Sequence, residues 1–520
     1  MRGDIWLALE IIGAIGLFIT ERHTHGSSIL SALSCVARTI SCHVAALITS
    51  AVLYRLSPLH PLAKFPGPLI NRITSLKLVQ IVASGKRYEI INDLHKRYGV
   101  AVRTGPNTIS LNSHDAILPI YASASAWDKS DAYQLGLIPG TGLFFIRDRK
   151  SHDYRRRHYW APSLTNDAIV SYTPMINRRT NNLLEALANR REDGIVDVSL
   201  ALNHWTHDVT GELVFGDSYW ENFCKNGDHK GMVDSAITET IVFEILGEAP
   251  SLFNVLWWFP TTKALRTMDD CAEVALKQRR HIGSQSKDMM TYLLSEVPSP
   301  APKLPDSHLR QEAIIAIQAG TNGISAAITF AFFFLASNPE IYARLKIEIK
   351  DFFPDFDGSE IFDGKMVEKL PYLNAVAEES LRLGAPLGSF PRTTPKGGAY
   401  IAGQYIPEGT IVGVPAWAQL ISEENFYPHP ESFIPERWLP GGLGPGSRCD
   451  KNAIMTFSHG PFGCMGKQFA HLEMRLVLVK TLLRYDFKFA PDFDSVKFLA
   501  GVKNMRVTSF GYPLRLQVTF

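Results

Sequence analysis

The chain has 520 residues, with 53 lysines and arginines against 51 aspartates and glutamates, a formal charge of +2, and only 20% charged positions. That balance excludes a polyanion-binding surface as the basis of function. The 46% hydrophobic and 11% aromatic content excludes a disordered chain and supplies a core large enough for an apolar ligand.

At the N-terminus, residues 5–19 (IWLALEIIGAIGLFI) are apolar apart from Glu10, and residues 40–54 (ISCHVAALITSAVLY) form a second stretch bounded by Arg38 and Arg55. Each is shorter than the roughly 20 residues that cross a bilayer. A cleaved leader does not fit, because the first stretch contains an acid and no small-x-small site precedes the second. The expectation is a membrane anchor over residues 1–56, of one or two passes. Arg55, Lys64, Arg72 and Lys77 follow it and put the rest of the chain on the cytosolic side. His60-Pro61-Leu62-Ala63-Lys64-Phe65-Pro66-Gly67-Pro68 comes next, where three prolines fix φ and remove amide donors. Residues 57–70 read as a stiff hinge or as an ordinary proline-rich loop.

Residues 71–520 lack repeats and linkers and read as one domain, α+β with helices in the majority. The clearest helix is expected from Asp306 to Leu335, apolar nearly all round and therefore central, with Asn338-Pro339 breaking it. Further helices are expected at 339–352, at 371–383, and from just after Cys464 to about Arg484. Strand signals fall at Val100–Arg103, Thr108–Leu111, Tyr400–Ile401, Tyr405–Ile406 and Ile411–Val414. The six cysteines, Cys35, Cys42, Cys224, Cys271, Cys449 and Cys464, form no C-x-x-C pair, so neither a zinc ribbon nor a disulfide framework is expected.

The stretch Phe457-Ser458-His459-Gly460-Pro461-Phe462-Gly463-Cys464-Met465-Gly466 carries the strongest chemical signal. Its glycines allow close backbone approach to a flat partner, and a cysteine at a helix start is stabilised as thiolate by first-turn amides. The same residues also describe a buried, inert cysteine. The loop resembles the haem-binding loop of the cytochrome P450 family, F-x-x-G-x-(R/H)-x-C-x-G, with Phe462 at the Arg/His position. The resemblance implies a P450 fold with a small β-sheet region and an N-terminal anchor. It also implies haem b with Cys464 as axial thiolate and metal ligand, within a loop shaped by Phe457, Gly460 and Gly466.

Other stretches resemble the family in the same order. Glu379-Ser380-Leu381-Arg382 resembles its E-x-x-R helix, and Pro435-Glu436-Arg437-Trp438 its P-E-R-W element. Glu379 and Arg382 lie at i and i+3 on one helix face, and Arg437 arriving from a later loop would share the carboxylate as a structural clamp. His152-Asp153-Tyr154-Arg155-Arg156-Arg157 resembles the helix whose His152 and Arg156 would reach a haem propionate, and Pro391-Arg392 the segment supplying another propionate-binding arginine.

Within the central helix, Ala319-Gly320-Thr321-Asn322-Gly323-Ile324-Ser325 stands where the family has A-G-x-(D/E)-T-(T/S). Asn322 replaces the acid and Gly323 the threonine that relays protons during oxygen activation. Thr321 and Ser325 are the neighbouring hydroxyls, available for a relay or simply bonded to a preceding carbonyl.

The implied activity is a haem-thiolate monooxygenase drawing electrons from NADPH through a cytochrome P450 reductase. Its substrate is expected to be an apolar small molecule, terpenoid or polyketide, of secondary metabolism. The expected location is the endoplasmic reticulum membrane, facing the cytosol. The Asn322/Gly323 departure leaves an isomerase or dehydratase as the alternative. Substrate-facing segments would correspond to 121–146, 215–260, the central helix and 386–392. Residues 254–260 (NVLWWFP) read either as a membrane-dipping segment or as core.

Overall fold

In the computed structural model of the chain, residues 2–122, 126–134, 136–217, 222–285, 287–356, 362–384, 389–505 and 507–519 are described. The all-round apolar stretch forms a helix from Asp306 to Ser337, two residues longer than the pattern indicates. It ends at Asn338, and Pro339, at the first position of the next helix (Pro339–Phe352), needs no amide donor there. The helix at Pro371–Leu383 has the expected bounds.

The central helix is buried because helices and the strands Asp486–Phe489 and Val507–Phe510 pack around its C-terminal half. Ile328, Ala331, Phe332 and Leu335 pack with Trp205 of the Val198–Phe215 helix. They share one cluster with Leu476, Val477 and Val479 of the Lys467–Arg484 helix. Trp205 is fully buried, and truncating an aromatic of that size in a close-packed core costs about 3–5 kcal/mol.

The sheets are small. Ala101–Gly105 pairs antiparallel with Thr108–Leu111, which runs parallel to Ile411–Gly413, and that strand pairs antiparallel with Arg392–Thr393. The strands Ala101–Gly105, Thr108–Leu111 and Ile411–Gly413 lie within two residues of their sequence signals, whereas Arg392–Thr393 carried none. Ala399–Ile401 and Gln404–Ile406 form a separate two-stranded ribbon.

Two expectations need correction. The N-terminal stretches are not too short to cross a bilayer, since the helices run from Gly3 to His23 and from Ile29 to Leu56, and both have the length and apolarity of a span. Polar residues within the stretches had hidden their true ends. The central helix is as apolar, but it is covered by protein whereas the N-terminal pair is bare. Residues 57–70 are also not a free hinge. Leu62 and Phe65 are buried with Ile109 and Ile406, and the Arg103 amide donates to the Pro66 carbonyl at 2.7 Å. The prolines stiffen a strap that the body grips.

A buried carboxylate ties the helical body to the segment leading to Cys464. Glu379 Oε1 accepts from Arg382 Nη2 at 2.7 Å, Arg437 Nε at 3.0 Å and the Ile434 amide at 3.0 Å. Glu379 Oε2 accepts from Arg382 Nε at 2.8 Å and Trp438 Nε1 at 2.9 Å. Arg382 also donates to the carbonyls of Leu420, Pro430 and Ser432. Glu379→Ala would leave two guanidiniums buried beside no counter-charge, an expected loss of about 3–5 kcal/mol. Thermal unfolding of the detergent-solubilised chain, followed by far-UV circular dichroism, checks this. A midpoint for Glu379→Ala equal to the parent's would remove the clamp from the account.

Candidate active site

The cysteine loop is shaped by two residues with positive φ, Ser458 at 53° and Gly460 at 64°. A Cβ on Gly460 would stand 2.3 Å from the Tyr121 carbonyl oxygen, so glycine is required by contact as well as conformation. The chain then folds back, with the Cys464 amide donating to the Phe457 carbonyl at 2.8 Å. The helix begins at Lys467 with Gly466 as its N-cap, slightly later than expected, so Cys464 precedes the helix. The helix-start amides still act on it. Burial pushes the Cys464 thiol up, while the Gly466 and Lys467 amides and the charges of Arg156 and Lys467 pull it down. The residue is nevertheless accessible at its surface, so a thiol deep in protein opens onto an internal space.

Basic groups from three separate segments surround Phe462 of this loop. The His152 ring meets the Phe462 ring edge-on at 4.6 Å between centroids. Lys129 Nζ lies 4.9 Å and the Arg392 guanidinium carbon 5.0 Å from the same ring. Arg156 donates to the carbonyls of Pro461 at 3.1 Å and Gly463 at 2.6 Å. His152 is pushed down to about 2, first by burial and then by the charges of Lys129, Arg156 and Arg392. His152 Nδ1 and Arg392 Nε are buried without a hydrogen-bond partner. Concentrated positive charge with orphaned donors is costly unless an anion joins it. A haem presenting two carboxylates beside an axial thiolate fits these residues.

Lys129 was not singled out by sequence, because it is a lone lysine in an irregular apolar segment. Backbone pairing places it. Lys129 bridges antiparallel to Arg392, and the Thr393 amide donates to the Asp128 carbonyl at 2.9 Å. The missing basic residue at Phe462 is thus balanced by a lysine from another segment, with the aromatic ring between the cations. His152 and Arg156 occupy the helix Arg149–Arg155 and the π-type turn that follows it. That turn is held to the central helix by Glu312, which accepts from Arg155 at 2.7 Å, Trp160 Nε1 at 2.8 Å and the Leu143 amide at 2.9 Å.

Along the middle of the central helix, Ala319 and Gly323 are exposed, although Gln318 and Gly320 are half-buried and Asn322 and Ile324 buried. Four residues apart, they share one face, and nothing lies within 4 Å of a Cβ built on Gly323. Gly320 faces Thr210, whose hydroxyl donates to the Gly320 carbonyl at 2.8 Å. Thr321 and Ser325 are turned away from the open face. Thr321 is fully buried and its hydroxyl donates to the Gln318 carbonyl at 3.4 Å; the Ser325 hydroxyl donates to the Asn322 carbonyl at 3.3 Å. Asn322 is buried with Nδ2 unpartnered.

Of the substrate-facing segments, residues 123–125, 135, 218–221 and 386–388 lie outside the described residues. Residues 254–260 divide between the two readings. Asn254 and Trp257 are buried, whereas Trp258 is 71% and Phe259 51% exposed.

The family model "Cytochrome P450" matches residues 66–507. The cytochrome P450 monooxygenase phqL of Penicillium fellutanum is 30% identical over 91% of this chain and 82% of its own length. The cytochrome P450 monooxygenase sthD of Phaeosphaeria nodorum is 31% identical over 91% of this chain and 97% of its own. The corresponding figures for dtxS2 of Metarhizium robertsii, another cytochrome P450 monooxygenase, are 30%, 85% and 86%. The chain belongs to the cytochrome P450 family, whose members carry a haem-thiolate iron centre.

Lys129→Ala is expected to speed haem loss by roughly tenfold or more, the ~1.5–3 kcal/mol of a charge-assisted hydrogen bond. Phe462→Arg alone crowds the existing cations and is expected to lower haem loading. The double variant Lys129→Ala/Phe462→Arg should recover much of it. Rates of haem transfer to an acceptor apoprotein check the cycle, and strictly additive single effects would show that the two positions do not share one role.

Proposed function

We propose that this P450 is a membrane-anchored haem-thiolate monooxygenase that inserts one oxygen atom from dioxygen into an apolar small molecule. Its electrons come from NADPH through a cytochrome P450 reductase. The observation that carries the reading is the convergence of an accessible thiol, helix-start amides and four basic groups on one loop. Cys464 would supply the thiolate to a bound haem, and His152, Arg156, Arg392 and Lys129 would hold its carboxylates. When bound, the haem supplies the oxygen chemistry, and an axial thiolate favours O–O cleavage. Glu379, Arg382 and Arg437 hold the loop's approach. The bare helices at Gly3–His23 and Ile29–Leu56 support anchorage, and Arg55, Lys64, Arg72 and Lys77 favour the cytosolic face of the endoplasmic reticulum. The substrate in this reading is a small molecule of secondary metabolism, a terpenoid or polyketide.

Proton delivery follows from what lines the open face. The Thr321 and Ser325 hydroxyls are committed to preceding carbonyls, so a relay through them is not favoured by the geometry. Ordered water beside Gly323, or a hydroxyl of the substrate, is the route the open face accommodates. The same departure supports a second reading, an isomerase or dehydratase that does not activate dioxygen. Stoichiometric oxygen and NADPH consumption with product formation selects the monooxygenase, and turnover without either selects the rival.

Two outcomes test the site. Cys464→Ala should abolish the red-shifted ferrous carbon monoxide band, and a variant that keeps it has another ligand. Gly323→Thr should fold and load haem, since space is free there, but change the ratio of NADPH used to product formed. Thr321→Ala and Ser325→Ala should leave that ratio within about twofold. Strong uncoupling by either would restore the side-chain relay.

A further inference from the structure

The two N-terminal helices form an antiparallel pair, and both of their outer ends are held by the catalytic body. Gly3 is buried at the start of the first helix, packed so tightly on the Pro250–Leu256 helix that a Cβ would stand on the Ser251 carbonyl oxygen. At the end of the second helix, Arg55 Nη1 donates to the Ile73 carbonyl at 2.5 Å, and the Arg55 carbonyl accepts from the buried Arg103 at 3.2 Å. The turn at Thr24–Ser28 joins the opposite ends. A 21-residue helix rises about 30 Å, the thickness of the hydrocarbon core, and the 28-residue partner exceeds it.

The polar groups inside the pair are matched to one another. Glu10 precedes the first helix's end at His23 by 13 residues, and His43 follows the second helix's start at Ile29 by 14. They therefore meet at one depth, with Glu10 Oε1 and His43 Nε2 3.1 Å apart. Near the turn, Glu21 accepts from the Ser27 hydroxyl at 3.1 Å and from the Cys35 thiol at 3.5 Å. Polar groups at membrane depth are retained where they satisfy each other.

We infer that the anchor is a two-pass hairpin docked on the body. Residues 24–28 lie on the far side of the membrane, and Arg2 lies on the same side as the catalytic domain. The first helix is a fixed wall against Pro250–Leu256, which brings the exposed Trp258 and Phe259 to the bilayer surface. The basic residues favour this sidedness on balance, because Arg2, Arg55, Lys64, Arg72 and Lys77 on the body side outnumber Arg22 and Arg38 toward the turn.

This inference rests on the membrane-anchored reading above, and retention in the pellet after alkaline carbonate extraction tests that reading separately. For the hairpin, the full chain receives a Gly/Ser-rich insertion carrying an Asn-Gly-Ser glycan acceptor, either between Gly26 and Ser27 or directly after Arg2. Expressed in yeast, the turn insertion should shift in mobility, reversibly by glycosidase, and the N-terminal insertion should not. A glycan on the N-terminal insertion means a single crossing, and a glycan on neither means that the pair does not cross. Either result overturns the hairpin. An epitope at the same two places, scored for protease protection in sealed microsomes, gives an independent answer if an insertion blocks glycosylation. For the docking, Arg2→Cys with Ser251→Cys, both exposed and leaving Gly3 in place, should be joined by a short bismaleimide in membranes. Failure to join, with each cysteine still reacting with a monofunctional maleimide, shows that the first helix stands free of the body.

Discussion

The Glu379 carboxylate is the point on which the remaining architecture depends. A charge buried that deeply is tolerable only when every lone-pair direction is used, and five donors from two stretches of chain use them. One of those stretches, Ile434 to Trp438, is distant in sequence from the helix that carries it. The carboxylate therefore converts a local i, i+3 pair into a long-range tie, holding the segment from Ser432 to Trp438 against the body. From there the chain continues into the loop whose shape exposes Cys464.

Charge is distributed at the other end of the site by a different rule. There Lys129 and the Arg392 guanidinium both lie against the Phe462 ring, and Arg156 donates to carbonyls of the same loop. An arrangement of that kind is matched to an anionic group, and burial together with these charges pushes His152 down. Phe462 is consistent with this balance. A basic side chain at that position would add to charge already delivered by Lys129, and the ring instead offers its face to the cations.

The same preference for matched polar groups runs through the N-terminal helices. Glu10 faces His43, and Glu21 faces the turn and Cys35. Their apolar residues are left bare: Ile12 is 64% and Leu53 66% exposed. The central helix has comparable apolarity with its surface covered, so composition alone does not separate a helix for lipid from a helix for the core; neighbours do.

Local chemistry was legible in the sequence. The helices at Asp306–Ser337, Pro339–Phe352 and Pro371–Leu383, the short strands and the family motifs follow from periodicity, proline positions and residue order, which are properties of nearby residues. The cysteine loop also announced itself, since glycines and a cysteine before a helix are a short-range pattern. Tertiary structure alone decided what depends on direction and on partners remote in the chain. It turned Thr321 and Ser325 away from the open face and Gly320 toward Thr210, because a helix facing several neighbours assigns each side chain by packing. It brought Lys129 beside Arg392 through backbone pairing across more than 250 positions. It made a strap of residues 57–70, because Leu62 and Phe65 found a core that no local pattern could reveal.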